Sequence, residues 1–236
     1  FESLYNFAKQ YNADVVKSNF YYYHSDTDGK NDPPIDNLNA CEYNKVFCPL
    51  DEQNIFLTQP AIWSALYRRE FLEKEAILFI ETPGASFQDT SFNFKVFATA
   101  KRVVLTDKAY LHYRIDNASS SVKSLSKVFC ICDEYQAIWD FARSRNEVYS
   151  KLKHRIPQIQ FGGYLWNLDR LTPRLQYQFY ERLVKEFKAF AKDDLIREDY
   201  FDEAAWDKVT DILSNSDNYF CANYGPVQIN NTFLAA

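Results

Sequence analysis

The sequence predicts a mixed α/β fold followed by an all-helical C-terminal region. β-Forming runs at 13–23 (ADVVKSNFYYY), 102–107 (RVVLTD) and 109–115 (AYLHYRI) alternate with helical patterns over residues 1–122. From 123 onward only helical patterns follow, roughly 126–146, 148–170, 174–192 and 203–214, punctuated by Pro157, Gly162-Gly163 and Pro173. A chain of 236 residues that is 47% hydrophobic and 17% aromatic can bury a core, so a disordered chain is excluded. These observations divide the chain into an α/β part, 1–122, and a helical part, 123–236.

The elements read in order as follows. Leu4, Phe7, Ala8 and Tyr11 recur at helical spacing, so 2–12 is an amphipathic helix. The strand at 13–23 follows. Residues 24–44 are dense in Asp, Asn, Pro and Gly and read as a long loop. Pro60 in a first turn opens a helix over 60–76. A short apolar run at 77–81 and a loop lead to a helix over 89–100, with Phe92, Val96 and Ala100 on one side. The runs 102–107 and 109–115 read as two short strands joined by a tight turn, and a polar loop closes the α/β part.

Composition removes several function classes. The net charge is −5 and no block of Lys or Arg occurs, which argues against a general nucleic-acid surface. One or two Arg could still hold a small anion. Five scattered Cys do not make a secreted disulfide framework and read as reduced thiols of a cytosolic protein. Cys130-Ile131-Cys132, with His154 the nearest His in sequence, is a weak metal pattern. No run of about 18 apolar residues is present to cross a membrane. The chain opens at Phe1, already inside a helical pattern, and reads as a segment of a longer protein.

The residues offer limited chemistry by themselves. Asp89 stands just before an apolar helical run, where Asp is a preferred helix cap. It is also a carboxylate available for proton transfer. On a helix, Trp63 and Tyr67 would share a face one turn apart, with Ser64 and Arg68 beside them. Such a pair either packs in the core or stacks on the C–H face of a sugar. Arg68 or Arg69 would meet a phosphate or carboxylate, or simply end a solvated helix. Asp26-Thr27-Asp28-Gly29 spells Asp-x-Asp but sits in a turn-rich loop after a strand. It lacks the later ligands of a calcium loop, with Lys30 and Asn37 at positions 5 and 12.

The order of three segments carries a family resemblance. LYNFAKQYNADVVKSNFYYY, QPAIWSALYRREFL and FIETPGASFQDTSFNFKVFATAKRVVLTDKAYLHYRIDNASSSV resemble, over about the first 125 residues, the second half of a family-2, GT-A type bacterial glycosyltransferase. The helical tail is only loosely similar. The resemblance implies a partial GT-A-like, Rossmann-related mixed sheet forming the acceptor side of the domain. The family's metal-binding Asp-x-Asp, which holds Mg or Mn against the donor diphosphate, would precede Phe1. This segment alone is therefore expected to be inactive.

The resemblance also implies roles. The intact enzyme would move a hexose or N-acetylhexosamine, with inversion, from a nucleotide sugar to a cell-surface glycan or lipid-linked acceptor. Asp89 falls at the family's Glu-Asp or Gln-Asp pair and becomes the general base. Its neighbour Gln88 can bond a sugar hydroxyl but cannot take a proton. Trp63, Ser64, Tyr67 and Arg68, by their residue types, are the candidate substrate-binding residues beside it, with core packing the alternative for the aromatic pair. His112 becomes an outlying metal ligand, and Arg114 on the same strand face a diphosphate contact. The hydroxyl-rich loop from Asn117 to Ser121, Ser120 included, would close over the donor or be an ordinary polar loop. A cytoplasmic location follows, and Lys151, Lys153 and Arg155 hint weakly at the inner membrane face. The rival reading is a non-catalytic module, whose aromatic tail (Trp139, Tyr164, Trp166, Trp206) binds a protein or membrane.

Overall fold

The structure, a computed structural model, describes residues 1–25, 33–81, 87–116, 127–229 and 232–234. The chain forms two compact units, Phe1–Ser124 and Leu125–Ala236. The first is mixed α/β around a four-stranded sheet and the second is mainly helical, as the sequence predicts.

In the first unit, helix α1 (Glu2–Gln10) precedes strand β1 (Val15–Tyr23). Leu4, Phe7, Ala8 and Tyr11 pack on Ala13, Val16, Val104, Val46 and Leu66, so the apolar stripe of α1 covers one face of the sheet. Of these helix side chains Leu4 is buried, which contributes about 1.5–3 kcal/mol. The sheet order is β2 (Val46–Phe47), β4 (Val103–Arg114), β1, β3 (Ala65–Tyr67). The pair β1–β4 is parallel, and the two outer pairs are antiparallel.

Two predicted elements differ from the structure. The expected helix over 60–76 is instead a 3₁₀ turn (Ile62–Ser64), strand β3 and a short helix α2 (Arg69–Lys74). The helix formers of this segment lose to pairing with β1, where Val15 opposes Tyr67 and Lys17 opposes Ala65. The two expected strands at 102–107 and 109–115 are one strand, β4. The expected turn is a bulge: Ser18 opposes Thr106 but Asn19 opposes Ala109, which leaves Asp107 and Lys108 as extra residues on β4. The strand β2 and a 3₁₀ helix at Gln53–Leu57 had no clear signal in the sequence.

Helix α3 (Gln88–Thr99) is buried nearly all round, through Phe92, Phe94, Val96, Phe97 and Ala98. An enclosed helix of this kind lies inside a core rather than on a surface. Phe56 of the 53–57 turn meets Phe94 and Phe97.

The second unit holds α4 (Cys130–Arg143), α5 (Asn146–Leu152), α6 (Arg155–Leu168), α7 (Pro173–Lys192), α8 (Glu203–Ser214) and α9 (Ser216–Tyr224). A hairpin of β5 (Val227–Ile229) and β6 (Thr232–Leu234) follows, against the expectation of helices only. The predicted 126–146 and 148–170 helices are resolved into three, with breaks after Arg143 and Leu152. Pro173 starts α7, where its missing N–H costs nothing, and the Asp202 side chain caps α8 through Ala205 N at 2.8 Å.

A buried polar network ties this unit together. Glu186 accepts from Gln160 Nε2 at 2.8 Å, from Tyr164 Oη at 2.7 Å and from Arg182, while Gln160 Oε1 accepts from Trp139 Nε1 at 2.9 Å. Trp139 and Tyr164 are thus core residues and not an exposed aromatic surface. Trp166 is half exposed, with the Arg170 guanidinium 4.4 Å from its ring centre. His154 Nδ1 lies 3.0 Å from Leu195 O, and none of the five Cys is in a disulfide. No described helix is long and apolar enough to cross a membrane.

Candidate active site

Asp89 lies in the first turn of α3 but is not its cap. The cap position belongs to Phe87, which has φ 60°, in the left-handed region that a bulky side chain adopts only under strain. Asp89 is partly buried, and its carboxylate accepts the N–H groups of Asp89 and Thr90. Those bonds favour the ionised form, whereas burial opposes it. Burial is the larger effect, and the carboxyl is pushed above the usual carboxylate range. A first-turn position and a raised proton affinity therefore coexist in one side chain.

The segment at 77–81 is fastened along α3 beside Asp89. Gln88 Nε2 donates to Ile80 O at 3.0 Å and Lys95 Nζ to Leu78 O at 3.3 Å. Phe79 stacks on Phe92 at 4.2 Å between ring centres. Phe92, one turn beyond Asp89, meets the Tyr67 ring edge-on at 5.6 Å, and the Tyr67 hydroxyl donates to Ile62 O at 2.9 Å. Burial raises the Tyr67 pKa, so the phenol stays protonated.

Trp63 and Tyr67 do not share a helical face. Trp63 stacks on Tyr113 at 4.7 Å with the planes 6° apart, and meets Phe20 at 4.6 Å, nearly perpendicular. This is packing at the carboxyl end of β1 and β4. Ser64 is buried, and its Oγ donates to Ala61 O at 2.9 Å and accepts from Lys17 Nζ at 3.0 Å. Arg68 is committed to the start of the sheet through Asn12 Oδ1 at 2.7 Å and Ala13 O at 2.9 Å. Trp63, Ser64 and Arg68 thus serve the fold in this structure.

Alternation along β1 and β4 separates the remaining residues. Tyr22, Phe20, Tyr113 and Trp63 lie on the face that α1 covers further down the sheet. Tyr21, Tyr23, His112 and Arg114 lie on the other face, with Lys17 and Tyr67, and Phe92 brings α3 onto this second face. His112 stacks on Tyr21 at 4.8 Å, and Arg114 sits 5.6 Å from the Tyr23 ring centre and 3.7 Å from Asp116. Asp116 also accepts from Ser25 N at 2.6 Å, which with the Ser25 hydroxyl holds its carboxyl below its usual value.

Tyr67, His112 and Arg114 thus belong to one face, the one α3 reaches through Phe92 a turn beyond Asp89, and the last two stand at the carboxyl ends of the parallel strands, where open α/β sheets bind ligands. Tyr21 and Tyr23, absent from the sequence-based site, join them. Their signal was the run of three Tyr at a strand end. Ser120, with the rest of Asn117–Ser121, lies outside the described residues, as do Asp26 to Lys30 and Gly84 to Ser86.

Among the described residues no group of three or more His, Cys, Asp or Glu side chains could hold a metal ion. His112 alone does not make a Mg or Mn site, so these residues do not fit one of their own. The chemistry open to these residues is proton transfer at Asp89 and anion binding at exposed Arg114.

Lys17 escaped the sequence reading. It is fully buried in mid-strand, and its Nζ donates to Ala61 O at 2.6 Å and to Ser64 Oγ. A single Lys within the run VVKSNF was the available signal.

No family profile and no curated protein matches this sequence. Solved structures do match in shape. TarS of S. aureus, a glycosyltransferase, in its 1–349 form with UDP aligns over 98% of this chain and 66% of its own, with TM-score 0.53 and 15% identity. The same protein with UDP-GlcNAc aligns over 98% and 67%, with TM-score 0.41 and 14% identity. The chain thus spans about two thirds of the length of the structures it matches. At this identity the likeness concerns the fold, and the fold is glycosyltransferase-like.

Proposed function

We propose that this chain is the acceptor-side portion of an inverting, GT-A type glycosyltransferase of family 2, with Asp89 as its general base. The observation that carries the reading is the state of Asp89, a partly buried carboxylate in the first turn of α3 whose proton affinity burial raises. A general base works best when its pKa is raised toward the working pH. The glycosyltransferase-like fold supports it.

In the proposed reaction Asp89 takes the proton from an acceptor hydroxyl as that oxygen attacks the anomeric carbon. The bond to the leaving diphosphate breaks, and configuration inverts. Arg114 meets negative charge on the diphosphate. The donor is a nucleotide sugar carrying a hexose or N-acetylhexosamine, and the acceptor is a cell-surface glycan or its lipid-linked precursor. Because the fold neighbour was solved with UDP, UDP-sugars are the first donors to test.

The test is acceptor-dependent release of UDP from a panel of UDP-hexoses and UDP-N-acetylhexosamines, using the whole protein to which this chain belongs. Release from at least one donor is expected, with loss on Arg114→Ala. Absence of nucleotide release from every nucleotide sugar, with folded protein, would contradict the reading.

A further inference from the structure

We propose that Lys17 is the positioning residue of the 61–64 turn, its two N–H groups pinning that turn to the middle of the sheet. The inference rests on the reading above only in taking the Asp89 helix as functional. Lys17 has no exposed surface. Its amine has two acceptors, Ala61 O at 2.6 Å and Ser64 Oγ at 3.0 Å. A neutral amine has two N–H donors and an ammonium has three. The site therefore matches the neutral form, and protonation would leave one buried N–H unpaired.

The turn so held is not isolated. Ser18 Oγ donates to Ser64 O at 3.1 Å, and Ile62 O receives the Tyr67 hydroxyl. Tyr67 touches Phe92, one turn from Asp89. A chain of packed groups thus runs from the amine to α3.

The surrounding titratable groups leave the amine to itself. Asp14, at the start of β1, accepts the backbone N–H groups of Lys101 and Arg102. Asp107 on β4 is exposed, and Lys95 on α3 reaches Leu78 O. Tyr67 is bonded to Ile62 O, and Asp89 to its own helix turn. None of these charges contributes to the shift of Lys17. Burial alone lowers its pKa, from 10.5 to about 7. The match between turn and amine is therefore complete above neutrality and is lost below it.

The experiment is NMR on the 236-residue chain with ε-carbon-labelled lysine and nitrogen-labelled tryptophan. One lysine signal is expected to titrate near pH 7, apart from the rest. The indole N–H signal of Trp63, assigned with Trp63→Phe, is expected to move with the same midpoint. In Lys17→Met both the early titration and the indole movement are expected to vanish. If all lysines titrate together near 10.5, or if the Trp63 signal stays fixed while Lys17 titrates, the proposal is wrong. The wild-type titration decides even if Lys17→Met fails to fold. No donor or acceptor takes part, so failure of the transferase reading would leave the result intact.

Discussion

Lys17 puts a pH dependence into stability that belongs to one side chain. Its folded pKa is about 7 against 10.5 for the free group. Between those values the unfolded chain binds more protons, so unfolding free energy rises with pH across that window, and below it the full destabilisation is present and no longer changes with pH. At about 1.4 kcal/mol per pKa unit, the rise is a few kcal/mol at most. Denaturant titrations at pH 7 and pH 10 are expected to show wild type gaining on Lys17→Met by that order. Equal pH dependence in the two proteins would contradict the buried neutral amine. The residue scale was also where the sequence was least readable. The residue types of Asp89, His112 and Arg114 pointed to a site. Nothing in sequence reveals that Arg68 turns to Asn12, or that Ser64 receives Lys17, because those partners arrive from distant parts of the chain.

At the scale of elements, local pattern worked where one element decides its own fate. The amphipathic α1, the β-branched and aromatic β1, the Pro-started α7 and the Asp-capped α8 follow their sequences. It failed where a partner decides. The 60–76 segment has helix formers, yet residues 65–67 pair with β1, and the Asp107–Lys108 step is a bulge because β1 runs straight past it. Helix α6 gives a test of packing against propensity. A Cβ on Gly162 would meet nothing within 4 Å, whereas one on Gly163 would come to 2.5 Å from Tyr135 Oη. That hydroxyl donates to Ile159 O at 2.7 Å and is not free to swing away. Gly162→Ala is expected to stabilise by about 0.5–1 kcal/mol. Gly163→Ala is expected to destabilise by about 1–3 kcal/mol. Thermal unfolding of the two variants checks the order, and equal gains in both would refute the Tyr135 contact.

The whole molecule is two compact units. The second has its own aromatic and polar interior around Trp139, Tyr164, Phe187 and Glu186. Residues 125–236 expressed alone are expected to keep helical circular dichroism and unfold cooperatively, and a non-cooperative, molten product would show that the unit depends on the rest. The change of character near residue 125 was legible because strand signals stop there, while the terminal hairpin was missed because two three-residue strands carry too little pattern. The proposed activity belongs to the first unit, and its central claim is that Asp89 removes the acceptor proton. The most direct measurement is the transfer rate of Asp89→Asn with a nucleotide-sugar donor, in the whole protein. A general base contributes typically about 10²–10⁴-fold. A fall of that order with unchanged donor affinity and fold is predicted, and a variant that transfers at close to the wild-type rate would contradict the account.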